Sequence, residues 1–244
     1  MKPNETPGQG QTRQARPQAR PQMRTHLRIK ICGLSRVEDI RCANEARPDY
    51  IGFVFAESRR RVTPEQARRL RERLDVGITP VGVFVDAGIA EIAALVNGGV
   101  IDMVQLHGNE TAAYITRLRK ACGANISDSI NRINSIKIIK AVRISDGAQP
   151  PEHALVQKET YGADYLLLDS GAGSGKTFNW RFAEQIAAEG GFADSFFLAG
   201  GIHPGNIREA AAFHPFAIDV SSGAETDGVK DREKIMALVA ACHG

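Results

Sequence analysis

From Leu27 onward the chain alternates, about eight times over, between a short apolar run and a stretch with apolar residues at helical spacing. The runs predict strands at Arg28–Cys32, Asp49–Phe55, Val81–Val85, Asp102–His107, Ile136–Val142, Asp164–Asp169, Ser195–Ala199 and Phe216–Val220. Between them the pattern predicts helices, two with readable starts. Ser35-Arg-Val-Glu38 reads as a capping box, and Thr63-Pro64 as an N-cap followed by proline at the first helical position. A weaker helix is expected within Pro151–Tyr161, a short one near Trp180–Ala188 and another over Pro204–Phe213. Strict strand–helix alternation implies a parallel sheet with right-handed crossovers. An open doubly wound sheet would more often carry five to seven strands. The count therefore predicts an α/β fold built as a single closed (β/α)8 barrel, the TIM barrel, over residues 27–244.

The segment before it is different. Met1–Arg24 holds Lys2, Arg13, Arg16, Arg20 and Arg24 against the single acid Glu5, among prolines and glutamines. Such a stretch cannot bury enough apolar surface to offset its ordering entropy, so residues 1–26 read as a disordered basic extension. Its charge accounts for the formal +3 of the whole chain, leaving the barrel near neutral. That argues against a nucleic-acid partner. No apolar run reaches the roughly 18–20 residues of a membrane span, and no signal-peptide core is seen. Cys32, Cys42, Cys122 and Cys242 are far apart with no CxxC pair, which predicts neither zinc nor disulfides and points to a reducing, cytoplasmic setting. Gly123–Ser135 is polar and reads as a surface excursion.

In a barrel of this kind the chemistry sits at the C-terminal ends of the strands. Reading off those ends gives Cys32, the loop with Arg59, Arg60 and Arg61, Gln105 with His107, Arg143, Asp169, Gly200-Gly201, and Asp219 to Gly223. The last two stretches are glycine-rich turns after strands seven and eight, the usual phosphate site of the fold, where unpaired backbone N–H groups attract an anion. Cys32 is either a small buried hydrophobe or, in the mouth beside a helix N-terminus, a stabilised thiolate. Asp169 ends an apolar Tyr-Leu-Leu-Leu run, a costly place for a carboxylate unless it is paired or working. Facing each other, the two would form an acid–base pair for proton transfer. His107 reads as a hydrogen-bonding scaffold before a metal ligand. The three arginines suit either solvent or a substrate carboxylate.

Leu166-Leu-Leu-Asp-Ser-Gly-Ala-Gly-Ser-Gly-Lys-Thr177 supports two readings. One is a nucleotide-binding loop, in which Ser170 stands where the first glycine should be. The other makes Asp169 the working group and the glycines a loop beyond it.

The motifs together resemble the phosphoribosylanthranilate isomerase family. They are Lys30-Ile-Cys-Gly33, Gly52-Phe-Val-Phe55, the Ser58–Pro64 loop, Val81-Gly-Val-Phe-Val85, Val104-Gln-Leu-His-Gly108, Leu168-Asp169 with Gly173-Ser-Gly-Lys-Thr-Phe178, Ala199-Gly-Gly201 and Asp219-Val-Ser-Ser-Gly223. The resemblance implies the Amadori rearrangement of N-(5-phosphoribosyl)anthranilate to 1-(2-carboxyphenylamino)-1-deoxyribulose 5-phosphate, a step of tryptophan biosynthesis, by a monomer or homodimer needing no cofactor or metal. It implies that Cys32 is the general base at C2 and Asp169 the general acid at the ring oxygen. It further implies that Arg60 holds the anthranilate carboxylate and that Gly201, Ser221, Ser222 and Gly223 bind phosphate through their amides. Gln105, His107, Gly200 and Asp219 complete the expected substrate site. Another sugar-phosphate barrel enzyme would keep the phosphate loops without needing Cys32, and a P-loop NTPase would need Ser170 to be tolerated and a magnesium carboxylate near Thr177.

Overall fold

A computed structural model describes residues 27–123, 136–143, 161–169 and 196–244. Eight parallel strands close into a barrel in sequence order: β1 Arg28–Cys32, β2 Tyr50–Val54, β3 Thr79–Phe84, β4 Met103–Leu106, β5 Lys137–Arg143, β6 Tyr165–Asp169, β7 Phe196–Ala199 and β8 Ala217–Val220. Closure is direct, because β1 pairs with both β2 and β8. The expected barrel is present, with strand boundaries within two residues of those read from the sequence. The described helices are α1 Val37–Ala46, α2 Pro64–Arg71, α3 Ile89–Asn97, α4 Ala112–Gly123, α5 Ile207–Ala211 and α6 Arg232–His243. Among the described residues no helix is long and apolar enough to cross a membrane. The basic extension, the 124–135 excursion, most of the weak 151–161 helix, the glycine loop from Ser170 and the 180–188 helix lie outside the described residues.

Period-two alternation sorts each strand onto two faces. On β1, Ile29 and Ile31 point outward into the layer shared with the helices, where they join Ile40, Ile51, Phe53 and Leu238. Each such buried side chain stabilises the fold by about 1.5–3 kcal/mol. The inward face is a second cluster that includes Val81, Met103, Ile139, Leu167, Phe197 and Phe216, with Tyr50 and Tyr165 packed against it. Above that apolar plug the inward positions turn polar. The register runs Arg143, Asp169, Ala199, Asp219, Lys30 across five neighbouring strands. Of these, Asp169 and Asp219 bring charge to the C-terminal mouth, above a floor of hydrocarbon.

Local starts match the sequence unevenly. Thr63 caps α2 as expected: its hydroxyl accepts the Gln66 amide at 3.2 Å, and Gln66 Oε1 accepts the Thr63 amide at 2.8 Å. The box expected at Ser35–Glu38 is shifted by one residue. Helix α1 starts at Val37, and its returning carboxylate is Asp39, which accepts the backbone amides of Ser35 and Arg36 at 2.9 and 3.0 Å. Asp39 is buried and also receives Arg36 Nε at 3.0 Å, so the guanidinium fixes which acid turns inward.

After β8 comes a feature the sequence reading passed over. Ser222–Ala224 forms a 3-10 turn, and Glu225–Thr226 pairs antiparallel with Val229–Lys230. The connecting Asp227-Gly228 has φ of 52° and 80°, the two positive values that a tight type I′ hairpin requires.

Candidate active site

A cavity of about 500 Å³ opens at the C-terminal mouth, a size ordinary for a small-molecule site. Cys32, Arg60, Gln105, His107, Asp169, Gly200, Gly201, Asp219, Ser221 and Ser222 all line it. Every expected site residue except Gly223 therefore meets in one place. Gly223 lies where the two glycine-rich loops touch: a Cβ there would come 1.8 Å from the Ile202 carbonyl oxygen. Its hydrogen lets the β7 and β8 loops close on each other. Arg143, at the end of β5, is exposed and does not line the cavity.

Cys32 ends β1 and is 6% exposed. Gly52 is its register partner on β2, and a Cβ there would meet the Cys32 sulfur at 2.7 Å. Below the sulfur, Lys30 is wholly buried and its Nζ donates to Asp219 Oδ1 at 2.9 Å. Burial pushes the Cys32 thiol above its ordinary value, and the opposing influence comes first from the Lys30 ammonium. Asp219, an expected substrate-site residue, lines the cavity, and its Oδ1 accepts from Lys30 in this buried pair.

Asp169 ends β6. His107 Nε2 lies 3.3 Å from Asp169 Oδ2, and His107 Nδ1 lies 3.3 Å from Gln105 Nε2. With the amide donating to Nδ1, the imidazole proton sits on Nε2 and faces the carboxylate. His107 thus contacts both Asp169 and Gln105, and its loop is fixed from behind. The buried Glu110 carboxylate accepts the amides of Asp86 and Gly108 and pairs with the buried Lys140 at 2.9 Å.

The three arginines of the β2–α2 loop divide. Arg61 turns outward to Glu57. Arg59 and Arg60 turn to Glu225, with Arg59 Nη2 at 2.6 Å, Arg60 Nε at 2.5 Å and Arg60 Nη2 at 2.8 Å. Lys230 Nζ adds a bond to Glu225 at 2.7 Å and another to the Ser221 carbonyl at 2.9 Å. Burial alone would raise the Glu225 carboxyl, but the Arg60 and Lys230 hydrogen bonds bring it down to about 2. Gly33, at φ 85°, makes room for this arrangement: a Cβ there would lie 2.4 Å from Arg60 Cδ. Three cations around one carboxylate leave a positive surplus beside the glycine-rich loops after β7 and β8, suited to an anionic ligand.

Lys30, Glu225 and Lys230 escaped the sequence reading. The Asp227-Gly228 turn could have revealed the hairpin that pairs Glu225 with Lys230. Lys30 shares the inward phase of Cys32, which could have placed it under the sulfur.

A family model for N-(5'-phosphoribosyl)anthranilate (PRA) isomerase matches residues 29–241. An N-(5'-phosphoribosyl)anthranilate isomerase of Acetivibrio thermocellus is 41% identical over 213 residues, spanning 85% of this chain and 91% of that protein. A solved phosphoribosyl anthranilate isomerase in complex with reduced 1-(o-carboxyphenylamino)-1-deoxyribulose 5-phosphate aligns with TM-score 0.68 and 32% identity, covering 88% of this chain and 97% of the other. A structure of monomers generated from the dimeric enzyme of Thermotoga maritima aligns with TM-score 0.69 and 32% identity over the same shares. Motifs, barrel and comparisons agree, and the chain belongs to the phosphoribosylanthranilate isomerase family.

Proposed function

We propose that this mouth performs the Amadori rearrangement of N-(5-phosphoribosyl)anthranilate to 1-(2-carboxyphenylamino)-1-deoxyribulose 5-phosphate. Asp169 delivers a proton to the furanose ring oxygen, which opens the ring and leaves a cationic imine. Cys32, as thiolate, then takes the C2 proton, and the C–H electron pair becomes the enolamine that tautomerises to the ketone. What carries this reading is that Cys32 and Asp169 line the same cavity from strands well apart on the barrel, which separates acid from base. Arg60 is suited to the anthranilate carboxylate. The bonds to Glu225 use its Nε and Nη2 and leave Nη1 outside that pair. Gly200, Gly201, Ser221, Ser222 and Gly223 offer backbone amides to the phosphate at the other end. Gln105 and His107 orient the acid.

This reading takes residues 27–244 as the catalytic domain and 1–26 as an extension outside it. It has a small-molecule substrate, no nucleic-acid or membrane partner, and a monomer or homodimer as the working form, in keeping with the dimeric Thermotoga maritima relative and its monomers. The four free cysteines support a reducing, cytoplasmic setting. Following anthranilate-conjugate fluorescence with the full chain tests the activity. Consumption of the phosphoribosyl conjugate is expected, and its absence at saturating substrate overturns the reading.

A further inference from the structure

The mechanism asks a buried thiol to act as a base, and burial alone opposes that. Cys32 loses solvent on entering the barrel, so its anion lacks hydration, and Gly52 places no side chain against the sulfur from β2. Directly below, on the same face of β1 two residues earlier, stands a cation with no exposure at all. A buried lysine is among the costliest groups in a core unless its charge is matched. Asp219 matches it from β8 at 2.9 Å, across the register pair Lys30–Asp219. An ammonium carries three donors; Asp219 takes one of them, and Cys32 lies two residues on along the same face of β1.

We propose that Lys30 is a positioning residue for the base: locked in place by Asp219, its ammonium is the counter-ion that lets Cys32 exist as a thiolate ready to accept the substrate proton. The inference rests on the reading of Cys32 as the general base. Other charges face the sulfur: Asp219 from β8, Lys230 from the hairpin, and Arg60 from the β2–α2 loop. Lys230 and Arg60 are both held by Glu225, away from the strand that carries the sulfur. Asp219 opposes the thiolate but is itself paired with Lys30. Lys30 is the cation that shares the sulfur's own strand face and is held there by Asp219, and it is the first to oppose the effect of burial on the thiol. The arrangement also limits its own effect: a sulfur held too strongly as an anion would be a poor base, and Asp219 offsets part of the ammonium charge.

A purely structural role for Lys30, tying β1 to β8 at the closure of the barrel, would affect stability and leave Cys32 ionisation where it is. The experiment therefore reads ionisation. In the full chain, the rate of Cys32 alkylation by iodoacetamide is followed against pH, with the modified residue located by mass spectrometry, for the unmutated protein, Lys30→Arg and Lys30→Met. The kcat/KM profile is recorded on the same samples. In Lys30→Met the alkylation rate at neutral pH is expected to fall about tenfold or more, the size of one pH unit in thiol ionisation. The rising limb of kcat/KM should move to higher pH with it, and Lys30→Arg should restore most of both. Should Lys30→Met fail to fold, Lys30→Met/Asp219→Asn removes both buried charges and is expected to move alkylation in the same direction, by less. Alkylation that follows the unmutated pH dependence in whichever of the two variants folds overturns the inference. If alkylation shifts while the kcat/KM limb of the unmutated enzyme fails to track Cys32 ionisation, the counter-ion role stands and the assignment of Cys32 as the base falls.

Discussion

Glu225 holds Arg60 side-on, taking Nε on one carboxylate oxygen at 2.5 Å and Nη2 on the other at 2.8 Å. The pair fixes the guanidinium plane over the mouth, while Lys230 ties the same carboxylate to the Ser221 carbonyl. One acid thus couples the proposed carboxylate-binding arginine to the proposed phosphate loop.

Glu225→Gln keeps the shape but loses the charge that aligns three cations. KM is expected to rise about tenfold or more while kcat changes far less, because Arg60 and the β8 loop are proposed to bind substrate and not to react with it. Steady-state kinetics on that variant decide the point. A fall in kcat at constant KM would contradict it.

The same carboxyl gives a pH signature. Its folded-state value lies near 2 against an ordinary 4.5, so its stabilising pairs are fully present above about pH 4.5. They are lost as pH falls from 4.5 toward 2, and the loss amounts to about 3 kcal/mol. Urea unfolding across that window should show a steeper loss of stability for the unmutated chain than for Glu225→Gln. Parallel curves would refute the ion cluster as the cause.

Gly52 is where a methyl group cannot fit, because a Cβ would press on the Cys32 sulfur at 2.7 Å. Gly52→Ala is predicted to displace the thiol and lower kcat about tenfold or more, with circular dichroism unchanged. An alanine variant of normal turnover would show that the position of the sulfur is not critical.

Asp169→Asn keeps size and hydrogen bonding and removes the transferable proton. Turnover should drop about 10²–10⁴-fold while a product analogue still binds, since the groups proposed for its two anionic ends lie on other strands. An active variant with a lower melting temperature would make Asp169 a structural cap of the loop after it.

Much of this is legible in the order of the residues, and for identifiable reasons. Ile29 and Ile31 alternate with Lys30 and Cys32, so strand phase follows from the residues alone, and eight such strands fix a barrel and its catalytic rim. Cys32, Asp169 and the two glycine turns are strand-end residues, which a one-dimensional reading locates well. Glu225 is different: its partners Arg59 and Arg60 lie more than 160 residues away in sequence, and only barrel closure brings the ends of the chain together. The Lys30–Asp219 pair is hidden for the same reason, being made across the β1–β8 seam. The one-residue shift of the α1 cap turns on which of two adjacent acids faces inward: Asp39 accepts the Ser35 and Arg36 amides, while Glu38 is exposed.

The measurement that bears most directly on the proposed chemistry is kcat for Cys32→Ser, with fold and product-analogue binding checked on the same sample. Serine fills nearly the same space beside Gly52 and above Lys30, but its hydroxyl is a far weaker base. The expected result is a folded protein that binds the analogue and turns over about 10²–10⁴-fold more slowly. A serine variant with near-normal kcat would contradict the assignment, because proton abstraction would then belong to another group.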